Sequence, residues 1–205
     1  MNLDKKSIIA IMGPSGAGKT TLGERLSTRN EIAIPKHCTT RLPRNDDIEG
    51  FYRYLKHSDY KQLYEQRKFL ISSGDGSVIE KEYGNFYGVL YNDCIQAWEN
   101  SDVLVLFTSY KDIERLQDLK RQGMDIDIVN LTFQNLEEGI LNRLLNSDVR
   151  NHTQKDIEHR VRSAVSDNDK YSEALRMYAK TIVYTDVLDI EETYNKVCGD
   201  LDIGR

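Results

Sequence analysis

The stretch Ser7-Ile-Ile-Ala-Ile-Met12, followed at once by Gly13-Pro14-Ser15-Gly16-Ala17-Gly18-Lys19-Thr20-Thr21, decides the fold. The first part is a short apolar run, which predicts a strand. The second part has the spacing Gly-x-x-x-x-Gly-Lys-Thr, and a helical pattern from Lys19 to Arg29 follows it. Between a strand and a helix this spacing has a physical task. Its glycines let backbone amides turn inward around a phosphate, and the helix N-terminus adds the positive end of its dipole. Gly13, Ser15, Gly16, Ala17, Gly18, Lys19, Thr20 and Thr21 are therefore the expected binding set for ATP. Within that set Lys19 would reach the β- and γ-phosphates, and the Thr20 hydroxyl would help ligate Mg²⁺.

Working outward, short β-branched or apolar runs alternate with longer helical patterns, as in a parallel sheet covered by helices. Strands are predicted at Ser7–Met12, Ala33–Cys38, Asp102–Thr108, Ile126–Thr132 and Thr181–Thr185. Helices are predicted near Lys19–Arg29, Tyr91–Glu99, Lys111–Gln122, Asn135–Asn146, Gln154–Tyr178 and Ile190–Leu201. In the Gln154–Tyr178 segment, Ile157, Val161, Ala164, Val165 and Leu175 fall roughly on one face. Residues 39–90 break the rhythm: short aromatic and apolar runs surround one helical pattern at Asp59–Arg67, which predicts a small mixed α/β insertion. The polar stretch Ser147–Lys155 predicts an exposed loop or lid. The expected organisation is one α/β P-loop domain over 1–205, with a core at 1–38 and 91–205, an insertion at 39–90 and a lid at about 143–160.

A chain of 205 residues is long enough for one sizeable core. Its net charge of −5 argues against a general nucleic-acid or anionic-membrane binder, though not against a local phosphate site. Cys38, Cys94 and Cys198 are odd in number and form no Cys-x-x-Cys pair, which fits a reducing compartment and neither a disulfide framework nor a zinc site. The apolar runs are too short to span a membrane and no signal-peptide pattern is present, so a cytoplasmic location is expected. His37, His57, His152 and His159 lack metal-ligand spacing and read as structural or solvated. Neither an Asn-Lys-x-Asp guanine motif of GTPases nor the Leu-Ser-Gly-Gly-Gln signature of transporter ATPases is found.

Three further segments carry a resemblance: Thr39-Thr40-Arg41-Leu42-Pro43-Arg44, then Gly50-Phe51-Tyr52, then Gly84-Asn85-Phe86-Tyr87-Gly88. With the P-loop, they make the chain similar to the guanylate kinase family over essentially its whole length. That family transfers a phosphoryl group from ATP to GMP. The resemblance implies that Arg41 and Arg44 clamp the acceptor monophosphate and that Tyr52 and Tyr87 donate hydroxyls to it. Two arginines on an extended loop can fork a phosphate, so the assignment is chemically sensible in its own right. The Asn142–Val165 segment resembles the family's lid, with Arg143, Arg150 and Arg160 as its arginines and Arg162 as the alternative to Arg160. A mobile cationic lid would neutralise charge on the transferring group only when both substrates are bound. Thr181–Glu192 is similar to the segment that borders the adenine.

The chain departs from the family on the acceptor side. Leu106, Phe107, Thr108 and Ser109 stand where aspartates are usual, one near Mg²⁺ and one near the guanine. The base-reading glutamate after the Phe-Leu pair is displaced by Ile71-Ser72-Ser73, which leaves Glu80 or Glu82 to supply a carboxylate. The Gly50–Tyr52 spacing is one residue short, Val89 replaces a hydroxyl residue, and His37-Cys38 replace small hydroxyl residues. Two alternatives to a GMP kinase follow. Ribose 1,5-bisphosphate kinases resemble the Tyr87-Gly88 and Trp98-to-Ser109 regions but not the Arg41-x-x-Arg44 segment. Guanylate-kinase-like modules can also be non-catalytic binding scaffolds, against which the intact Gly18-Lys19-Thr20 argues.

Overall fold

Ser7–Met12 forms strand β1, paired on both edges and buried on both faces, which is why its sequence does not alternate. Its setting is seen in a computed structural model that describes residues 6–44, 47–73, 84–145 and 153–203. The central sheet joins β1 to β2 (Ile32–Ala33), β7 (Val103–Phe107), β8 (Asp125–Thr132) and β9 (Thr181–Tyr184). Its order is β2-β7-β1-β8-β9 and every pairing is parallel.

Helices cover both faces. Helix α1 (Lys19–Leu26) buries Leu22 and Leu26 against Ile9, Ile11 and Val105, where α5 (Leu136–Leu145) and α7 (Ile190–Asp200) also contribute. The other face packs Ala10 and Met12 against α3 (Tyr91–Trp98) and α4 (Ile113–Arg121). Helix α6 (Gln154–Tyr178) serves both layers, giving Ile157 and Ala164 to the first and Leu175 to the second. Burying a leucine as fully as Leu22 stabilises by about 2–3 kcal/mol.

A second sheet has the order β4-β3-β6-β5, from β3 (His37–Thr39), β4 (Tyr52–Tyr54), β5 (Phe69–Ser72) and β6 (Tyr87–Leu90). The β3–β4 pairing is parallel and the other two are antiparallel. Helix α2 (His57–Glu65) packs Tyr60 on Phe69 and Phe86 behind it. Gly88 permits this close approach, because a Cβ there would lie 2.7 Å from the Phe69 ring and 2.8 Å from the Tyr60 hydroxyl.

Three sequence expectations change. The strand predicted at Ala33–Cys38 is two strands in different sheets. Pro35 has no N–H for a ladder, and the chain crosses there from one sheet to the other. The first helix ends at Leu26 rather than Arg29, where the Ser27 and Thr28 hydroxyls donate back to the Glu24 and Arg25 carbonyls at 2.9 Å each. The helix expected from Lys111 opens as a 3₁₀ turn, Tyr110–Asp112, under a capping box of Ser109 and Asp112.

Candidate active site

The loop after β1 has the shape its glycines require. Gly13, Gly16 and Gly18 all have positive φ, at 146°, 81° and 81°. A side chain at Gly13 would also run into the Leu131 carbonyl of β8. Gly18 is the N-cap of α1, whose first turn carries no acidic residue, so its positive end is left for an anion. Lys19 Nζ folds back over the loop and donates to the Gly13 and Pro14 carbonyls at 2.7 and 2.8 Å. Thr20 is half-buried at the second position of the helix, and Thr21 is exposed. No group of three or more His, Cys, Asp or Glu able to hold a metal occurs among the described residues. A lone hydroxyl such as that of Thr20 suits Mg²⁺ arriving on a triphosphate, since Mg²⁺ keeps several waters.

Two arginines from separate helices converge on this loop. Arg160, in α6, donates from Nη1 to Ser15 Oγ at 2.7 Å. Arg143, in the last turn of α5, packs its Cβ over Gly16 and donates from Nη2 to the Thr185 carbonyl at 2.8 Å. Helical phase separates Arg160 from Arg162, which lies exposed in an ion pair with Glu158. Arg150, Glu80 and Glu82 lie outside the described residues.

The second sheet offers a different kind of anion site. Arg41 is only 6% exposed although it follows a strand end. Its guanidinium grips Asp47 through both Nη atoms, donates to the Leu42 carbonyl at 2.9 Å, and lies 4.6 Å from the Tyr52 ring centroid. Burial disfavours this charge, but Asp47 outweighs it and the guanidinium is raised further above its ordinary value. Burial likewise opposes the Asp47 carboxylate, yet Arg41, Tyr54 and the Arg44 N–H hold it well below the usual carboxylate range. Tyr52 is pushed up by burial, against the opposing pull of Arg41. Tyr87 pairs with Thr39 across β3 and β6, and its hydroxyl is close enough to Arg41 for their charges to interact. Arg44 contributes a backbone N–H to Asp47 at 2.7 Å and keeps its side chain half-exposed.

Aromatic rings occupy the end of β7, where the resemblance leads one to expect acids. Phe107 fills the space above Gly23, and its backbone N–H donates to His37 Nε2 at 3.0 Å. Because that nitrogen accepts, Nδ1 carries the proton and donates to the Pro35 carbonyl at 2.8 Å. The ring stacks on Phe51 at 4.8 Å, and burial lowers its pKa to about 4. His37 thus links the two sheets as a neutral group.

Several of these partners escaped sequence reasoning. Asp47 sits in the polar run Asn45–Glu49, which looks like any solvated loop. Arg53 and Asp93 form a bidentate pair at 2.8 and 2.9 Å that ties β4 to the first turn of α3. The available signal was weak: Arg53 sits on a short aromatic strand beside Tyr52 and Tyr54. Thr39 and Thr40 lie inside the motif, and their hydroxyls accept from the Arg41 and Phe86 N–H groups.

No protein-family model matches the chain. A guanylate kinase of Pseudomonas fluorescens strain Pf0-1 is 28% identical over 169 residues, spanning 82% of this chain and 76% of the relative. A guanylate kinase of strain Pf-5 of the same species is 26% identical over 197 residues, or 95% and 84% of the two chains. The crystal structure of guanylate kinase from Anaplasma phagocytophilum superposes with a TM-score of 0.67, covering 96% of this chain and 85% of that one. At 17% identity that likeness is one of fold. Sequence similarity running nearly the length of the chain, on the fold of a solved guanylate kinase, makes this protein similar to the guanylate kinases and supports a phosphotransferase.

Proposed function

We propose that the protein phosphorylates a nucleoside monophosphate with ATP, and that the acceptor is GMP, giving GDP and ADP. One observation carries this reading: a P-loop met by two helix-borne arginines coexists with a buried Arg41 in the loop that follows β3 of the second sheet, so two phosphates can be held at once. Similarity to relatives named guanylate kinases supports GMP as that acceptor.

In this scheme residues 13–21 cradle the triphosphate and Lys19 leaves the loop carbonyls for the β- and γ-oxygens. Arg41 and Arg44 hold the acceptor phosphate, with Tyr52 and Tyr87 as hydroxyl donors. An oxygen of the acceptor phosphate forms a bond to the γ-phosphorus as the bond to the β–γ bridging oxygen breaks. Lys19, Arg143 and Arg160 offset the charge that shifts in that step, and Arg150 is assigned the same role. Mg²⁺, when bound with ATP, would supply further neutralisation, and Thr20 is the ligand offered to it. We assign the second sheet to acceptor binding and the Arg143–Arg160 region to a lid. The base-reading carboxylate is assigned to Glu80 or Glu82. We place the protein in the cytoplasm, working on small molecules; no helix among the described residues is long and apolar enough to cross a membrane.

A second reading keeps the chemistry and changes the acceptor. The His37–Phe51–Phe107 ring cluster at the end of β7 offers no carboxylate to a base edge, which favours a smaller phosphorylated acceptor such as ribose 1,5-bisphosphate. A site that lacks a needed polar partner discriminates strongly against its ligand, so the two readings separate cleanly. ADP release is to be measured with ATP, Mg²⁺ and GMP, dGMP, AMP, CMP, UMP or ribose 1,5-bisphosphate. Turnover confined to GMP and dGMP supports the proposal. Turnover with the sugar phosphate alone replaces GMP, and ATP binding without any turnover points to a non-catalytic module.

A further inference from the structure

The role of Asp47 follows from which edge of the Arg41 guanidinium it takes. A guanidinium presents two forks, one end-on between the two Nη atoms and one side-on between Nε and Nη2. Asp47 takes the end-on fork with both carboxylate oxygens. The remaining Nη1–H goes to the Leu42 carbonyl at 2.9 Å. The side-on fork, Nε–H with the second Nη2–H, is not used by Asp47 or Leu42, and the guanidinium packs against Tyr52, whose side chain also hydrogen-bonds to it. Among the described residues no carboxylate hydrogen-bonds to that edge.

Asp47 is itself held from several sides. Its Oδ2 also accepts the Arg44 backbone N–H at 2.7 Å and the Tyr54 hydroxyl at 2.5 Å. Its side chain is only 11% exposed. Four donors from one loop and the adjoining strand thus converge on a single carboxylate, far more than a surface ion pair requires.

Resting on the phosphate-clamp reading above, we propose that Asp47 is the positioning residue of the acceptor clamp: it occupies the end-on fork of Arg41 and thereby aims the side-on fork at an incoming phosphomonoester. It does not touch the substrate. Two physical effects oppose each other here. A carboxylate beside the clamp reduces the net positive charge that attracts a phosphate. It also freezes a long side chain whose ordering the phosphate would otherwise have to induce on binding. The full use of both carboxylate oxygens on one fork, in a part-buried site where the other fork faces the Tyr52 side chain and no carboxylate, favours orientation as the larger effect.

The alternative is that Asp47 merely fills the clamp and must leave before substrate enters. The two roles move acceptor affinity in opposite directions. In the full-length protein, GMP affinity is read by calorimetric titration and by KM, with the ATP dissociation constant measured in parallel. Asp47→Ala is expected to weaken GMP about tenfold while leaving ATP binding unchanged. Asp47→Asn, which keeps one accepting oxygen, is expected to fall between the wild type and Asp47→Ala. In an Arg41→Ala background the Asp47→Ala change should have no further effect on GMP, because its influence runs through that guanidinium. Unchanged or tighter GMP binding in Asp47→Ala contradicts the proposal, as does an undiminished Asp47 effect without Arg41. An Arg41→Ala protein with wild-type GMP affinity contradicts the clamp reading itself. Should wild type accept ribose 1,5-bisphosphate in place of GMP, the same cycle is run on that phosphomonoester with the same expectations.

Discussion

The P-loop and the Arg41 site are both suited to hold a phosphate, yet they are assembled from different materials. The P-loop works with backbone: glycines at positive φ and a helix end without acids in its first turn. The Arg41 site works with side chains, one buried cation balanced by one half-buried anion. Backbone amides need no partner to stay oriented, so the donor site depends on covalent geometry. A guanidinium on a flexible stem needs a scaffold, so the proposed acceptor site depends on Asp47, Tyr52 and Tyr54 around it. The donor side should therefore be least tolerant of change at its glycines and Lys19, whereas the acceptor side can be retuned through neighbours.

The comparison is broken most severely by removing the lysine that the P-loop itself supplies. Lys19→Ala is predicted to lower kcat roughly 10³-fold in a coupled assay, with a normal circular-dichroism spectrum. A tenfold loss or less would mean that the loop amides suffice alone. Next in size, Arg41→Ala is predicted to raise the acceptor KM about 10²-fold with the ATP dissociation constant unchanged. Equal losses for both ligands would show that the two sites are not separable.

How far each site can be read in the sequence follows from the same contrast. A backbone site leaves a local pattern, because glycine spacing, Lys19 and the flanking apolar run are all contiguous. That pattern also gives β1, α1 and the parallel sheet. The acceptor site draws Arg41 and Asp47 from a loop, Tyr54 from a strand after it and Tyr87 from another strand. No periodicity joins them, and the resemblance names Arg41 and the tyrosines but not Asp47. The Ala33–Cys38 run was misread for a related reason. Its short mixed composition fits either sheet, and only Pro35 marks the point where the chain changes from one to the other.

His37, which links the sheets, gives the third prediction. Its pKa is lowered from 6.5 to about 4 by burial, so the unfolded chain binds the proton more readily. Stability then rises with pH across that window and is lost as pH falls through it. Between pH 7 and pH 5 the loss from this one group is about 2 kcal/mol by linkage, measurable by urea denaturation. His37→Phe should flatten that part of the profile; an unchanged slope would mean that other groups carry it. The smallest expected effect separates two neighbours on α6. Arg160→Ala is predicted to reduce kcat about tenfold, while Arg162→Ala, on the solvent face, stays within about twofold. Equal effects would remove Ser15 contact as the basis for choosing between them.

The central claim is that the two phosphate sites act on each other's ligands, with the γ-phosphoryl passing directly from one to the other. It is tested by following ATP labelled at the γ-phosphate in the presence of Mg²⁺ and GMP, with all labelled products resolved. The account predicts label in GDP in a one-to-one ratio with ADP formed, and none in free phosphate or on the protein. Label released as inorganic phosphate, with GMP left unchanged, would contradict it and leave a P-loop that hydrolyses ATP beside a site with another purpose.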